Sequence, residues 1–250
     1  MLKSSKTIKN LLNHTGGLQH FEEKYYNIKD ENLTITNDDV INFLIGTKPL
    51  FEVNSQFEYC NTNYIILALI IEKATGLSYQ KAMQELVFKP LGMTNSYVFN
   101  YYTDIETASK SYKGNSIYPW NQFDALYGDK NIYSTPRDMV KFDLATYSPD
   151  YIKHELLEEA YKGYSSFNIV NPTSDYGLGM RMKFLPPNGE KMIYHNGWWH
   201  GNMSSYVTLT KENVTIIALT NKSMKSVYNI KKLAPLFGDY PFKVEDEFEE

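Results

Sequence analysis

The chain has 250 residues, with 25 Lys and Arg against 29 Asp and Glu and a formal net charge of −4 at pH 7. That length supports one sizeable core, as one domain or two interleaved subdomains, and the mildly acidic balance speaks against a nucleic-acid partner. The one cysteine, Cys60, excludes an internal disulfide, and the longest apolar run, Ile65–Ile71, is too short to span a membrane.

Lys3, Lys6 and Lys9 are interleaved with polar residues and no apolar stretch follows, so no signal peptide is expected at Met1. Thr7 to Asn13 reads as a short helix capped by Thr7. It ends in His14-Thr15-Gly16-Gly17-Leu18, where His14 reads as a structural loop histidine. Asn37-Asp38-Asp39 ahead of Val40, Ile41, Phe43 and Leu44 predicts a second capped helix with acids in its first turn, ended by Gly46. A polar turn, Asn54 to Asn61, then runs into a helix apolar on nearly every face, which should be buried. Asn61 is its expected N-cap, and Gly76 its left-handed C′ residue. Tyr59 would then lie at a helix N-terminus, where backbone N–H groups and the dipole favour a phenolate. Ser78 caps a further helix, Tyr79 to about Phe88, that stops before Pro90.

Residues 95–132 are rich in Tyr, Asn and Ser, and irregular structure is expected there, with Trp120 and Asp124 to Tyr127 more apt to pack the loop than to meet a ligand. Thr135-Pro136 with Asp138 opens a helix to about Tyr147, with Asp138 at N3 of a capping box, and a weaker helix spans Lys153 to Lys162. From Tyr176 the period changes to two. Strands are predicted over Tyr176–Met182, Met192–His195, Ser204–Leu209 and Val214–Leu219, as an antiparallel meander. Turns at Pro186-Pro187-Asn188-Gly189 and Lys211-Glu212-Asn213 separate them. A helix from about Ser226 to Leu236 should cover one face, and the acidic tail Lys243 to Glu250 should fray.

Several of these motifs in order resemble the penicillin-recognising serine hydrolases, the group of class C β-lactamases, DD-peptidases and related esterases. Tyr59-Cys60-Asn61 stands where that group has Tyr-Ser-Asn or Tyr-Ala-Asn, followed by Tyr64, by Thr75-Gly76-Leu77-Ser78 and by Pro90-Leu91-Gly92-Met93. Thr7 to Leu18 is similar to the group's Thr-Ile-x-x-Leu-Leu-x-His-Thr-Ser-Gly-Leu, and Gly128 to Met139 to its Gly-x-x-Ser-Thr-x-x-Asp-Met/Leu. His195-Asn196-Gly197, read at a strand end, stands at the Lys-Thr-Gly position, which is His-x-Gly in many members. The resemblance covers nearly all of residues 7–237.

It implies an α+β, β-lactamase/transpeptidase-like fold: an antiparallel sheet flanked by helices, plus a helical subdomain. Residues 1–250 would form one such domain, with helices over about 30–150 and the sheet over about 176–237. The first strands of the group's sheet would precede Met1, and an unpaired edge invites homo-oligomers. The implied chemistry is acyl transfer through an acyl-serine, with Tyr59 sharing the serine's proton and Asn61 ordering the lysine and the substrate amide. His195, with a pKa near neutrality, would bind a substrate carboxylate or assist proton transfer. Gly197, Trp198 and Asn196 would line the substrate strand, Trp198 N–H serving as one oxyanion donor. No metal and no cofactor is expected. The substrate would be an ester, a D-amino-acid peptide or a β-lactam. Members are often exported, which leaves the compartment open.

The nucleophile is the departure. The sequence contains one Ser-x-x-Lys, Ser78-Tyr79-Gln80-Lys81, at the position of a helix cap. Three readings follow: the C-terminal portion of a serine hydrolase, inactive alone; a non-catalytic module that binds a cell-wall-like peptide or a protein; or, least favoured, Cys60 as a substitute nucleophile.

Overall fold

Local capping chemistry sets most helix starts, and two glycine-permitted close approaches lock loops onto the elements they serve. The computed structural model describes residues 6–26, 28, 33–167, 173–186 and 189–242. The tail Lys243–Glu250 and the Pro187–Asn188 part of the expected turn lie outside the described residues. The chain divides into two compact units, residues 1–108 with 119–134, and residues 109–118 with 135–250.

In the first unit, Thr7 caps α1 (Ile8–Leu12) in a full capping box with Asn10. After α2 (Phe21–Tyr25), Thr36 closes a second box with Asp39 at the start of α3 (Asn37–Leu44). Asn37, expected as part of the cap, is instead inside the helix. Its side-chain amide brackets the Tyr127 backbone, donating to the C=O at 3.0 Å and accepting the N–H at 3.1 Å. α4 (Thr62–Thr75) is the hub against which α1, α3 and α5 (Tyr79–Met83) pack. Its C-cap Gly76 is left-handed, at φ 70°. Ile65 and Ala68 are buried, but Ile66, Leu67, Leu69, Ile70 and Ile71 are only half-buried, so the helix is less enclosed than its composition suggests. Gly128 sits at φ +102° with a Cβ position 2.5 Å from the Tyr64 carbonyl oxygen, so only glycine lets residues 119–134 lie this close to α4. After α5 the chain winds one π turn, Gln84–Phe88. A two-residue ladder pairs Tyr97–Val98 with Ile132–Tyr133, flanking α6 (Tyr101–Asp104). Trp120 stacks on Phe99 at 5.2 Å, and Asp124 is fully buried, accepting from the Asn121 N–H.

In the second unit, Thr135 caps α7 (Pro136–Thr146), with Pro136 at its first position, and α8 (His154–Ala160) follows. Five antiparallel strands in sequential order make the sheet: β1 (Ser174–Tyr176), β2 (Arg181–Leu185), β3 (Glu190–Trp199), β4 (Asn202–Leu209) and β5 (Val214–Thr220). The single strand expected over Tyr176–Met182 is in fact a hairpin. Gly179 takes φ +90°, and the Gly177 N–H donates to the Met180 carbonyl at 2.7 Å, which turns β1 back onto β2. Strand alternation puts Lys191, Ile193 and His195 on one face of β3 and Met192, Tyr194 and Asn196 on the other. Met192, with Leu185, Val207 and Leu209, packs against Ala234 and Tyr240 on that second face. The element covering it, Lys225–Leu236, is a run of 3₁₀ turns rather than the expected α-helix, and it contains Pro235. On the first face, the Tyr206 hydroxyl donates to the Asp143 carboxylate of α7. Residues 109–118 dock beside the β3–β4 hairpin: Tyr112 N–H and C=O bond Asn221 and Ser223 at 2.8 Å each. A Cβ at Gly201 would lie 2.5 Å from the Tyr112 backbone.

Candidate active site

The chain around Tyr59 is held by side chains from residues 14–22. His14 is buried with φ 58°, a conformation few non-glycine residues take. Its Nδ1 accepts the Cys60 N–H at 3.1 Å and the Asn63 side-chain amide at 3.0 Å, so the ring proton sits on Nε2. Its ring lies 4.4 Å from that of Tyr59 and 5.3 Å from that of Tyr64. The Tyr64 hydroxyl donates to the Leu12 carbonyl at 2.9 Å. Further along, His20 meets Glu58 at 2.8 Å, and Thr62 Oγ1 both accepts the Phe21 N–H and donates to the Gln19 carbonyl.

Tyr59 is 37% exposed, whereas Cys60 is 3% and Thr62 0% exposed. A solvent-reaching phenol thus stands on a backbone fixed on both sides. Asn61 precedes α4, but its backbone is in the right-handed helical region and its side chain makes no cap. The expected N-cap is therefore corrected: Asn61 Nδ2 donates instead to Glu22 Oε1 at 2.9 Å. That bond uses the amide donor; the cap is missing because the helical backbone of Asn61 departs from the extended conformation an N-cap takes. Among the described residues, the other oxygen, Glu22 Oε2, is buried without a hydrogen-bond partner. Glu22 was not legible as a site residue, since nothing in His20-Phe21-Glu22-Glu23 marks it out.

Cys60 is the wrong nucleophile. Burial pushes its thiol up to about 11, and its Sγ faces the Leu18 and Gln19 carbonyls. Ser78 accepts the Lys81 N–H at 3.3 Å as the cap of α5, while Lys81 Nζ binds Glu85 at 2.7 Å on the exposed surface. Serine and lysine there serve separate structural ends.

The second unit carries the other candidates, and β3 does not stop at His195. It continues to Trp199, paired with β4 through Asn196↔Ser205, Gly197↔Ser204 and Trp198↔Met203. Its pairing with β2 ends at Tyr194↔Arg181, so His195 to Trp199 have β4 alone as strand partner among the described residues. His195 Nδ1–H donates to the Asn196 carbonyl at 2.8 Å, which leaves Nε2 as acceptor, 3.3 Å from the Tyr176 hydroxyl. Burial, reinforced by the Arg181 guanidinium, holds its pKa down to about 4. This direction runs away from the near-neutral value expected and favours the neutral ring over the cation. The Asn196 side-chain oxygen accepts from Ser205 Oγ at 2.7 Å, and the Gly197 carbonyl accepts from the Tyr228 hydroxyl at 3.1 Å. Trp198 is 67% exposed, with its indole N–H on the His200 carbonyl. Tyr59 and Asn61 thus fall in the first unit, and His195, Asn196, Gly197 and Trp198 in the second. No group of three or more metal-ligating side chains occurs among the described residues, and no helix there is long and apolar enough to cross a membrane.

The chain is 30% identical to penicillin-binding protein 4* of Bacillus subtilis over 95% of its own length and 57% of that protein's. It spans about half the length of the curated relatives it matches. A penicillin-binding protein structure from Bacillus halodurans superimposes with a TM-score of 0.77 at 21% identity, covering 92% of this chain and 72% of that one. A D-amino acid amidase from Ochrobactrum anthropi, complexed with D-phenylalanine, gives 0.69 at 24% identity, covering 88% and 73%. The fold is accordingly the β-lactamase/transpeptidase-like α+β fold. The family profile described as Beta-lactamase matches residues 3–232, and this chain belongs to the β-lactamase family.

Proposed function

We propose that this chain supplies the tyrosine, asparagine and strand-edge parts of a serine acyl-transfer reaction on a D-amino-acid peptide or amide, a simple ester or a β-lactam. The serine Oγ attacks the substrate carbonyl carbon, the C–N or C–O bond breaks, and the hydroxyl proton passes through Tyr59 to the leaving group. Water then cleaves the acyl-serine to a carboxylic acid. Asn61, oriented by Glu22, holds the substrate amide. His195 acts as a neutral, hydrogen-bonded ring beside Tyr176, and Gly197 and Trp198 receive the substrate backbone. In this reading residues 1–250 form one β-lactamase-like domain, and a sheet edge supports self-association.

The observation that carries the reading is the exposed Tyr59 on a buried, hydrogen-bonded backbone, a preorganised proton carrier in the family's own motif. The names of two similar proteins, a penicillin-binding protein and a D-amino acid amidase, put β-lactams and D-amino-acid amides among the substrate classes proposed. A second reading, a binding module without turnover, is favoured by the surface cap at Ser78 and the protonated thiol at Cys60. In the first reading neither Ser78 nor Cys60 is the acylated residue, in the second no residue is acylated, and in both the chain alone turns over little or nothing.

The test is turnover of nitrocefin and a nitrophenyl ester, with binding of a D-alanyl-D-alanine peptide, for the chain and its Tyr59→Phe variant. Neither protein should turn over either substrate, and the peptide should bind both. Turnover lost in Tyr59→Phe would place a nucleophile among these residues, and mass spectrometry of the acylated protein would identify it. A peptide that does not bind would remove the D-amino-acid reading.

A further inference from the structure

The second unit contains a cavity of about 800 Å³ that the reaction above does not use. Its walls include Tyr147, Ile152, Leu157 and Tyr161 from the α7–α8 region, with Lys191 and Ile193 from β3. Alternation along β3 puts these last two on the same strand face as His195, toward the opposite end of the strand. A volume of this size suits a small organic molecule, and the lining is largely aliphatic and aromatic.

Thr146, His154, Glu158, Lys162, Thr210 and Asn213 add polar groups to the walls. Lys191 is the cation that the sheet contributes. Its Nζ donates to the Tyr161 carbonyl at 2.9 Å, a neutral partner that leaves its charge uncompensated. The nearby acids are engaged elsewhere: Glu158 with His154 at 3.3 Å, Glu159 with Lys162 at 2.9 Å and Glu190 with Lys211 at 2.5 Å. Burial alone holds the Lys191 pKa below the ordinary lysine value. A half-buried ammonium facing an apolar cavity favours an anion that brings its own apolar body.

We propose that this cavity binds a small monoanionic amphiphile, a carboxylate on an aliphatic body, with the carboxylate on Lys191 Nζ and the body against the half-buried Ile152 and Leu157. A carboxylate fits better than a phosphate, because one ammonium on a flexible stem offers no bidentate fork and the walls already carry the carboxylate of Glu158.

Decanoate and decanol provide the test, titrated calorimetrically into the intact chain. Decanoate should bind at least about tenfold more tightly than decanol, the contribution of a charge-assisted hydrogen bond. Lys191→Met should reduce decanoate to the level of decanol, Lys191→Arg should retain most of the preference, and Leu157→Trp should weaken both ligands by filling the space. Thermal melting of each variant separates lost binding from lost fold. Equal affinity of the two ligands, or decanoate binding unchanged in Lys191→Met or in Leu157→Trp, would overturn the proposal. No turnover is read and neither Tyr59 nor His195 is altered, so failure here leaves the acyl-transfer reading untouched.

Discussion

Tyr59 stands on irregular chain pinned by side chains, whereas His195 stands in a ladder of backbone hydrogen bonds. Around Tyr59 the anchoring bonds come from His14, His20, Glu22 and Thr62, one or two each. Around His195 the register of β3 with β4 fixes the backbone, and side chains such as Asn196 and Tyr228 add to it. The first construction leaves its functional group open to solvent; the second half-buries it and favours its neutral form. A site held by a few unique side-chain bonds is sensitive to each of them, while a ladder spreads its support over many residues.

The sharpest way to break the comparison is His14→Ala. It removes the acceptor of the Cys60 N–H and of the Asn63 amide inside the core and leaves a ring-sized void. The expected loss is about 3 kcal/mol of unfolding free energy by denaturant titration. Asn196→Ala, which removes one side-chain bond from Ser205 in the ladder region, should cost about 1 kcal/mol. Thiol labelling of Cys60, slow in the native protein, should accelerate in His14→Ala and not in Asn196→Ala. Similar losses for the two variants would mean that the Tyr59 segment does not depend on its side-chain anchors.

The next effect belongs to the ladder side. The folded pKa of His195, about 4, lies below the ordinary 6.5, so the folded ring resists a proton that the unfolded chain accepts. Stability is therefore fully present above about pH 6.5 and declines as pH falls toward 4. The expected loss is about 2–3 kcal/mol across that window. His195→Gln, which does not titrate, should show a shallower decline by that amount between about pH 7 and pH 4.5. Parallel pH profiles for the two proteins would mean that the ring titrates normally.

What could be read in advance follows the range of the interactions involved. Thr7 and Thr135 cap their helices, and Gly76 ends α4, because each effect operates within one helical turn. The motifs Tyr59-Cys60-Asn61 and His195-Asn196-Gly197 were visible as residue patterns, and so was the family to which they point. Their settings were not. His14 reaches Cys60 across 46 positions and Glu22 reaches Asn61 across 39, and no local pattern encodes either bond. The depressed pKa of His195 likewise depends on burial and on Arg181, contributed by the neighbouring strand. Gly177 and Gly179 did carry the signal for the β1–β2 hairpin, but an alternating apolar pattern on both sides masked it.

The smallest effect tests whether Ser78 is structural. Its hydroxyl accepts one N–H at 3.3 Å at an exposed helix start, so Ser78→Ala should cost about 0.5–1 kcal/mol and nothing else. Lys81→Met should be smaller still, because its partner Glu85 keeps Lys89 at 3.3 Å and both lysines are solvent-exposed. If Ser78 and Lys81 were instead a working nucleophile and base, the two variants would abolish ester turnover or covalent labelling while leaving stability nearly unchanged. The geometry argues against that pairing, since Lys81 extends toward Glu85 on the same exposed helix face and Ser78 turns back onto the α5 backbone. A loss of stability with no loss of labelling therefore keeps the two serine-lysine ends separate, as the cap geometry requires.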